Sequence, residues 1–200
     1  GYTLGLAHVN AMSIIPALGQ KMPYNASTDF TPIVLLGITP NILIANVDAP
    51  AKNVKDLVAY LKQNPGKVSF GSAGNGSAGH LAFEMLKLAT GIEVTHVPYK
   101  GTGAQMTDLL AGQVEVMFDN LGVSLQHVKS GKLKALAIGS EKRVSSLPNV
   151  PTVAEAGLPG YDSTGWFGLV APAGTPAAII SRLNAEFTAA LNDESLRHAL

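Results

Sequence analysis

The sequence predicts an α/β fold of two lobes, in which mostly parallel sheets are flanked by helices. Three observations carry that expectation. Short apolar, β-branched runs alternate with segments of helical periodicity, the order that builds βα units. Two strands follow one another directly around Thr39-Pro40 with no helix between them, as a chain passing from one lobe to another requires. The loop Ser145–Asp162, punctuated by Pro148, Pro151 and Pro159, offers the return passage. One lobe is therefore expected at 48–162, inserted into another made of 1–47 plus 163–200. A single continuous sheet is the alternative.

Thr3–Ala7 reads as the first strand, Thr31–Ile38 as the second and Asn41–Ala45 as the third. Asn53–Gln63 is a helix: Asn53 is its N-cap, Asp56 follows three residues later, and Val54, Leu57, Val58 and Leu61 share one face. Asn64-Pro65-Gly66 stops it. Strand Val68–Gly71 leads through a glycine-rich turn into a helix at Ser77–Ala89, and strand Glu93–Val97 leads into a helix at Ala104–Ala111. Strand Val114–Asp119 precedes a helix at Gly122–Lys129, and strand Leu133–Gly139 precedes a short helix at Thr152–Ala156. Strand Gly165–Val170 and helix Pro176–Leu191 complete the pattern.

Composition narrows the function. With 14 Lys+Arg against 14 Asp+Glu the net charge is zero, which argues against a nucleic-acid binder. Hydrophobic residues at 46% exclude disorder and suffice for one or two cores, yet no apolar run approaches the roughly 18 residues of a membrane span. The absence of Cys excludes disulfides, Cys-ligated metals and thiol catalysis. Gly1 is not an initiator Met, and the text stops inside an amphipathic pattern at Ser195–Leu200, so a chain truncated at both ends is expected.

The sharpest local signal is the run Gly71-Ser72-Ala73-Gly74-Asn75-Gly76-Ser77-Ala78-Gly79 between a strand and a helix. Glycines let the backbone turn at positive φ and approach a ligand, and the first N–H groups of a helix are unpaired at the positive end of its dipole. Such a turn cradles an anion. Ser72 or Ser77 adds a hydroxyl donor, although Ser77 serves equally as N-cap, and His80 lies in the first helical turn, facing either the pocket or the core. Tyr99-Lys100-Gly101-Thr102-Gly103 forms a second turn of this kind, with Thr102 as cap and Lys100 as a cation beside a carboxylate or as a solvated side chain. Asp119 leaves its strand at the carboxyl end, where open α/β sheets bind ligands; it accepts from a ligand, or it or Asn120 caps the following helix.

Gly74-x-Gly76-x-x-Gly79 also matches a dinucleotide fingerprint, so a nucleotide-dependent oxidoreductase has to be weighed. That fingerprint needs an acid at the end of the next strand, and Glu93 sits at its start. Five scattered His with no zinc spacing, and no Gly-x-Ser-x-Gly elbow, leave catalysis without support. No catalytic residue, metal or cofactor is expected.

Several blocks together resemble a known family. Gly1-Tyr2-Thr3-Leu4, Asp29-Phe30-Thr31-Pro32-Ile33, Gly74-Asn75-Gly76-Ser77 with His80-Leu81, and His96-Val97-Pro98-Tyr99-Lys100-Gly101 are four of them. Asp108 to Val114, Met117-Phe118-Asp119-Asn120, Leu147 to Gly160, Trp166-Phe167-Gly168 and Ala171 to Pro176 follow in order. All resemble the extracytoplasmic solute receptors of tripartite tricarboxylate transporters, the Bug or TctC-like family. The resemblance implies a two-lobe, Venus-flytrap periplasmic binding protein of type II-like form, a monomer without catalytic activity, which captures a small organic carboxylate or amino acid between its lobes and delivers it to a membrane permease. Presentation of the ligand-closed form to a membrane kinase is the sensing alternative. Relatives begin with an export signal and a Pro-Gly-Gly loop that this chain does not show. The resemblance places ligand contacts on His8, Val9 and Asn10 in the first lobe, and on Gly74 to Ser77, Lys100 to Thr102 and Asp119 in the second.

Overall fold

The computed structural model describes residues 3–199. It divides into two compact units, one formed by Gly1–Ile38 with Gly165–Leu200 and the other by Thr39–Thr164.

The first unit holds β1 (Gly5–His8), a π-helical turn (Asn10–Ile14) running into the short α1 (Ile15–Ala17), and the first half of β2 (Phe30–Asn46). β7 (Thr164–Pro172), α6 (Ala177–Leu191) and α7 (Glu194–Ala199) come from the other end of the chain. β1 runs antiparallel to β7, with Gly5 opposite Val170 and His8 opposite Phe167. Asn184 of α6 donates from Nδ2 to the Ile33 carbonyl at 2.7 Å. An apolar hollow of about 590 Å³ lies within this unit, lined by Met12, Phe30, Val34, Leu35, Trp166 and Leu169 among others.

The second unit contains α2 (Val54–Gln63), β3 (Ser69–Ser72), α3 (Ala78–Thr90), β4 (Thr95–Pro98), α4 (Thr102–Leu110), β5 (Val116–Asn120), α5 (Leu121–Lys129) and β6 (Leu133–Ile138). Its sheet has apolar side chains on both faces, because the period-two alternation of β2 sends Leu43 and Ala45 to one side and Ile42 and Ile44 to the other. α2 and α3 cover the first face with Leu57, Leu61, Phe83 and Leu86. Met106 and Leu109 of α4 and Leu121 of α5 cover the second. This is the helix-sheet-helix layering expected of βα units.

The sheet is less parallel than the sequence predicts. β3 runs parallel to β4 and β5, but β2 runs antiparallel to both β5 and β6. The parallel pairs are those with helical crossovers between them, whereas β2 enters the unit directly from extended chain and needs none. β2 is also one strand where two are predicted, since Thr39-Pro40 does not interrupt it. Pro40 is tolerated because pairing with β5 begins at Asn41, so its missing N–H falls outside that ladder.

Thr152–Ala156 is a single turn, not a helix. The reciprocal cap is made, Glu155 N–H donating to Thr152 Oγ1 at 3.1 Å and Thr152 N–H to Glu155 Oε2 at 2.9 Å. Gly157 at φ 112° then turns the chain away before a second turn forms. The helical segment after His8 has no counterpart in the sequence reading.

Candidate ligand-binding site

β3, β4 and β5 end at the same edge of the second unit's sheet, and the loops leaving them carry most of the predicted site residues. β3 ends at Ser72, which is fully buried. The turn that follows needs glycine at two points, Gly74 at φ 128° and Gly76 at φ 76°. Ser77 is the N-cap of α3, its Oγ accepting from His80 N–H at 3.3 Å. Gly79 serves packing, since a Cβ there would stand 2.3 Å from the Phe118 carbonyl oxygen.

The turn spends several of its own amides on holding its shape. Gly74 N–H donates to Ser72 Oγ at 3.2 Å, Ser77 N–H to the Gly74 carbonyl at 3.1 Å, and Gly76 N–H to His80 Nδ1 at 3.1 Å. Asn75 is exposed at its tip. The amides of Ala78 and Gly79, in the first turn of α3, have no acceptor within the helix and stand at its positive end. An anion at this edge would therefore meet α3's first turn more readily than the Gly76 amide.

Four aromatic rings with nearly parallel planes cluster behind the turn. Phe83 stacks on Phe70 at 4.0 Å, Phe70 on His96 at 4.7 Å, and His96 on His80 at 4.1 Å. His96 Nε2 lies 2.6 Å from Ser72 Oγ. His96 carries no role in the sequence reading; the signal that finds it is register, because parallel neighbours β3 and β4 set Phe70 beside His96. Burial, followed by the charge of His80, lowers the His96 pKa, with Lys87 adding to the effect and Glu84 opposing it.

The second turn is tied to the first. Tyr99 N–H donates to the Ser72 carbonyl at 2.9 Å and Gly101 N–H to the Ala73 carbonyl at 3.2 Å. Thr102 is not the cap of α4. Gly101 holds that position at φ 106° with no side-chain bond, which leaves Thr102 as the first helical residue. Lys100 is exposed and forms no salt bridge among the described residues. Tyr99 anchors the turn by donating to Asp108 Oδ2 at 2.7 Å.

Asp119, at the end of β5, is 5% exposed. Its Oδ1 accepts from Gln105 Nε2 and its Oδ2 from Ser124 Oγ, both at 3.1 Å, so it joins α4 to α5. Burial pushes its pKa up to about 6, against hydrogen bonds from the Asn120 backbone, Ser124 and Gln105. Asn120, not Asp119, caps α5, accepting from Gly122 N–H at 2.9 Å.

Ser72, Gly74, Asn75, Gly76, Ser77, His80, Lys100, Gly101, Thr102 and Asp119 thus belong to one unit and three neighbouring loops. His8, Val9 and Asn10 belong to the other unit, at the end of β1 and the start of the π-helical turn. Asn10 Oδ1 is buried there and has no partner among the described residues. Glu93, the acid weighed for a nucleotide ribose, lies before β4 begins, at the opposite end of the parallel strands from the glycine turn. No group of three or more His, Asp or Glu able to hold a metal occurs among the described residues.

A family model described as the tripartite tricarboxylate transporter family receptor, TctC, matches residues 1–200. The chain is 36% identical over 200 residues to the protein BugT of Bordetella pertussis, covering all of this chain and 61% of that one. It is 39% identical over 181 residues to a protein of Pseudomonas sp. strain P51, covering 90% of this chain and 54% of the relative. Among solved structures it is similar to Rpa4515 of R. palustris with adipate, at 36% identity and a TM-score of 0.91, covering 98% of this chain and 66% of that one. It is likewise similar to MatC of Rhodopseudomonas palustris with bound malate, at 34% identity and a TM-score of 0.87, covering 97% of this chain and 66% of that one. The chain therefore spans somewhat over half the length of the curated relatives named, and over its whole length it belongs to the TctC family of tripartite tricarboxylate transporter receptors.

Proposed function

We propose that the protein is an extracytoplasmic solute receptor that captures a small organic carboxylate, hands it to a membrane permease and catalyses no reaction. The observation that carries this reading is the edge where β3, β4 and β5 end. There the unpaired first-turn amides of α3 are presented by a turn whose shape is fixed from within, and the Lys100–Thr102 turn is hydrogen-bonded alongside. Backbone donors and a helix dipole, with one exposed cation nearby, suit an anion held reversibly. Delivery to a transporter is supported by the family description, and location in the periplasm by similar solved structures described as periplasmic. The two relatives with adipate and malate hold dicarboxylates, which makes these the first probes.

The test is a thermal-shift screen of dicarboxylates, tricarboxylates, aromatic acids and acidic amino acids on the full-length protein, with NAD and NADP as comparators. A ligand at 100 times its dissociation constant adds about 2.7 kcal/mol of stability. A carboxylate is expected to raise the melting temperature and the dinucleotides to leave it unchanged. Stabilisation by a dinucleotide with hydride transfer, and none by any carboxylate, would overturn the reading.

A further inference from the structure

Two imidazoles lie face to face behind the glycine turn, and each holds one of its ends. His80 and His96 stack at 4.1 Å between ring centroids, with 16° between their planes. His80 Nδ1 accepts the Gly76 N–H at 3.1 Å, which places the neutral ring's proton on Nε2, 3.9 Å from Glu84 Oε1. His96 Nε2 meets Ser72 Oγ, the same oxygen that receives the Gly74 N–H.

The two rings respond differently to a proton. A cationic imidazole has two N–H donors and no acceptor. At His80 the new Nδ1–H would point at the Gly76 N–H, donor against donor, and the bond would be lost. At His96 the Ser72 hydroxyl can accept from Nε2–H while passing its own hydrogen to the Gly74 carbonyl at 3.1 Å, so that end of the turn survives protonation. The charged and titratable groups around His80 are Glu84 and Lys87 on α3, themselves paired at 2.7 Å, and His96 on β4. β3 contributes Phe70 and Ser72, neither of which titrates in this range. Glu84 is thus shared with Lys87, and the stacked His96 opposes a second charge.

The geometry points to His80 as a positioning residue for the ligand turn: neutral, it latches the Gly76 amide, and protonated, it releases the turn. The latch is a property of the free protein. Its effect on affinity rests on the carboxylate reading above, through the shape of the turn that presents the first amides of α3.

Nitrogen-15 NMR of the ligand-free, full-length protein from about pH 8 to about pH 5 follows the Gly76 amide and the His80 ring together. Both are expected to change with one midpoint, and the protection factor of the Gly76 amide, corrected for intrinsic exchange, is expected to fall about tenfold. His80→Asn, whose Oδ1 can stand where Nδ1 stands but does not titrate, is expected to keep the amide protected across the range. His80→Phe keeps the stack without the acceptor and is expected to leave the amide unprotected throughout. Calorimetric titrations with adipate and malate then compare the parent with His80→Asn, so that ionisation of the ligand cancels; only the parent's affinity should change beyond that on acidification. The latch is overturned by a Gly76 amide that ignores the titration of His80, by a His80 ring that stays neutral to the acid limit, or by His80→Asn following the parent's pH profile. If the amide behaves as expected and neither acid binds, the latch stands and the dicarboxylate reading falls.

Discussion

Gly79 in α3 stands against the backbone of Phe118 in β5 so closely that a methyl group on its Cα would lie 2.3 Å from the Phe118 carbonyl oxygen. The obstacle is backbone in the middle of a buried sheet, with no flexible side chain to move aside. Gly79→Ala must therefore push the first turn of α3 off β5, and overpacking of this kind costs about 1–3 kcal/mol. Urea denaturation should show a lower midpoint with an unchanged slope. A variant as stable as the parent would mean that α3 can slide freely on the sheet.

Ser77 tests the cap. Its Oγ accepts from His80 N–H, and Ser77→Ala should cost about 1 kcal/mol in chemical denaturation. Asn or Asp at this position should restore most of it, because both cap well. If the hydroxyl also touches the bound carboxylate, calorimetry should show a further loss of affinity in the alanine variant, of about 1.5–3 kcal/mol for a hydrogen bond to a charged group.

Asp119 tests the buried triad. Its folded pKa of about 6 lies above the ordinary 3.8, so the fold holds this proton more tightly than the unfolded chain does. The corresponding stability is fully present below about pH 3.8 and is lost as pH rises through about 6, in all about 3 kcal/mol. Asp119→Asn stays neutral throughout, and its Oδ1 can still accept from Gln105 Nε2. Urea midpoints at about pH 4 and about pH 8 should show the parent losing ground to the variant by up to about 3 kcal/mol. An unchanged difference would mean that Asp119 ionises at its ordinary value.

Local chemistry was legible in the sequence, and contacts distant along the chain were less so. Asn53 and Ser77 cap α2 and α3 as expected, because a cap depends on residues three apart. At α4 the same reasoning picks Thr102, and the structure uses Gly101, since the chain leaves β4 already turned by the bond from Gly101 to Ala73. The helix at Thr152 failed for a reason equally local, Gly157 acting after the cap had formed. His96 is different. Its partners Ser72, Phe70 and His80 come from other elements, and only the register of β3 against β4 brings them together. The orientation of β2 was hidden in the same way, because a strand pattern states which faces are buried and not which way a neighbour runs.

The interleaving of the two units along the chain has a consequence for the order in which the protein takes shape during synthesis. Thr39–Thr164 is continuous, so every strand and helix of that unit has left the ribosome once Thr164 emerges, and its two apolar layers can close at once. β1 has no such freedom: Gly5 waits for Val170, on the far side of the middle unit in sequence, and the entropic cost of closing so long a loop is lower if the intervening residues have already collapsed. The finished middle unit thus acts as a splint that brings β1 and β7 into reach of each other, and a substitution that slows its folding delays their pairing without touching either strand.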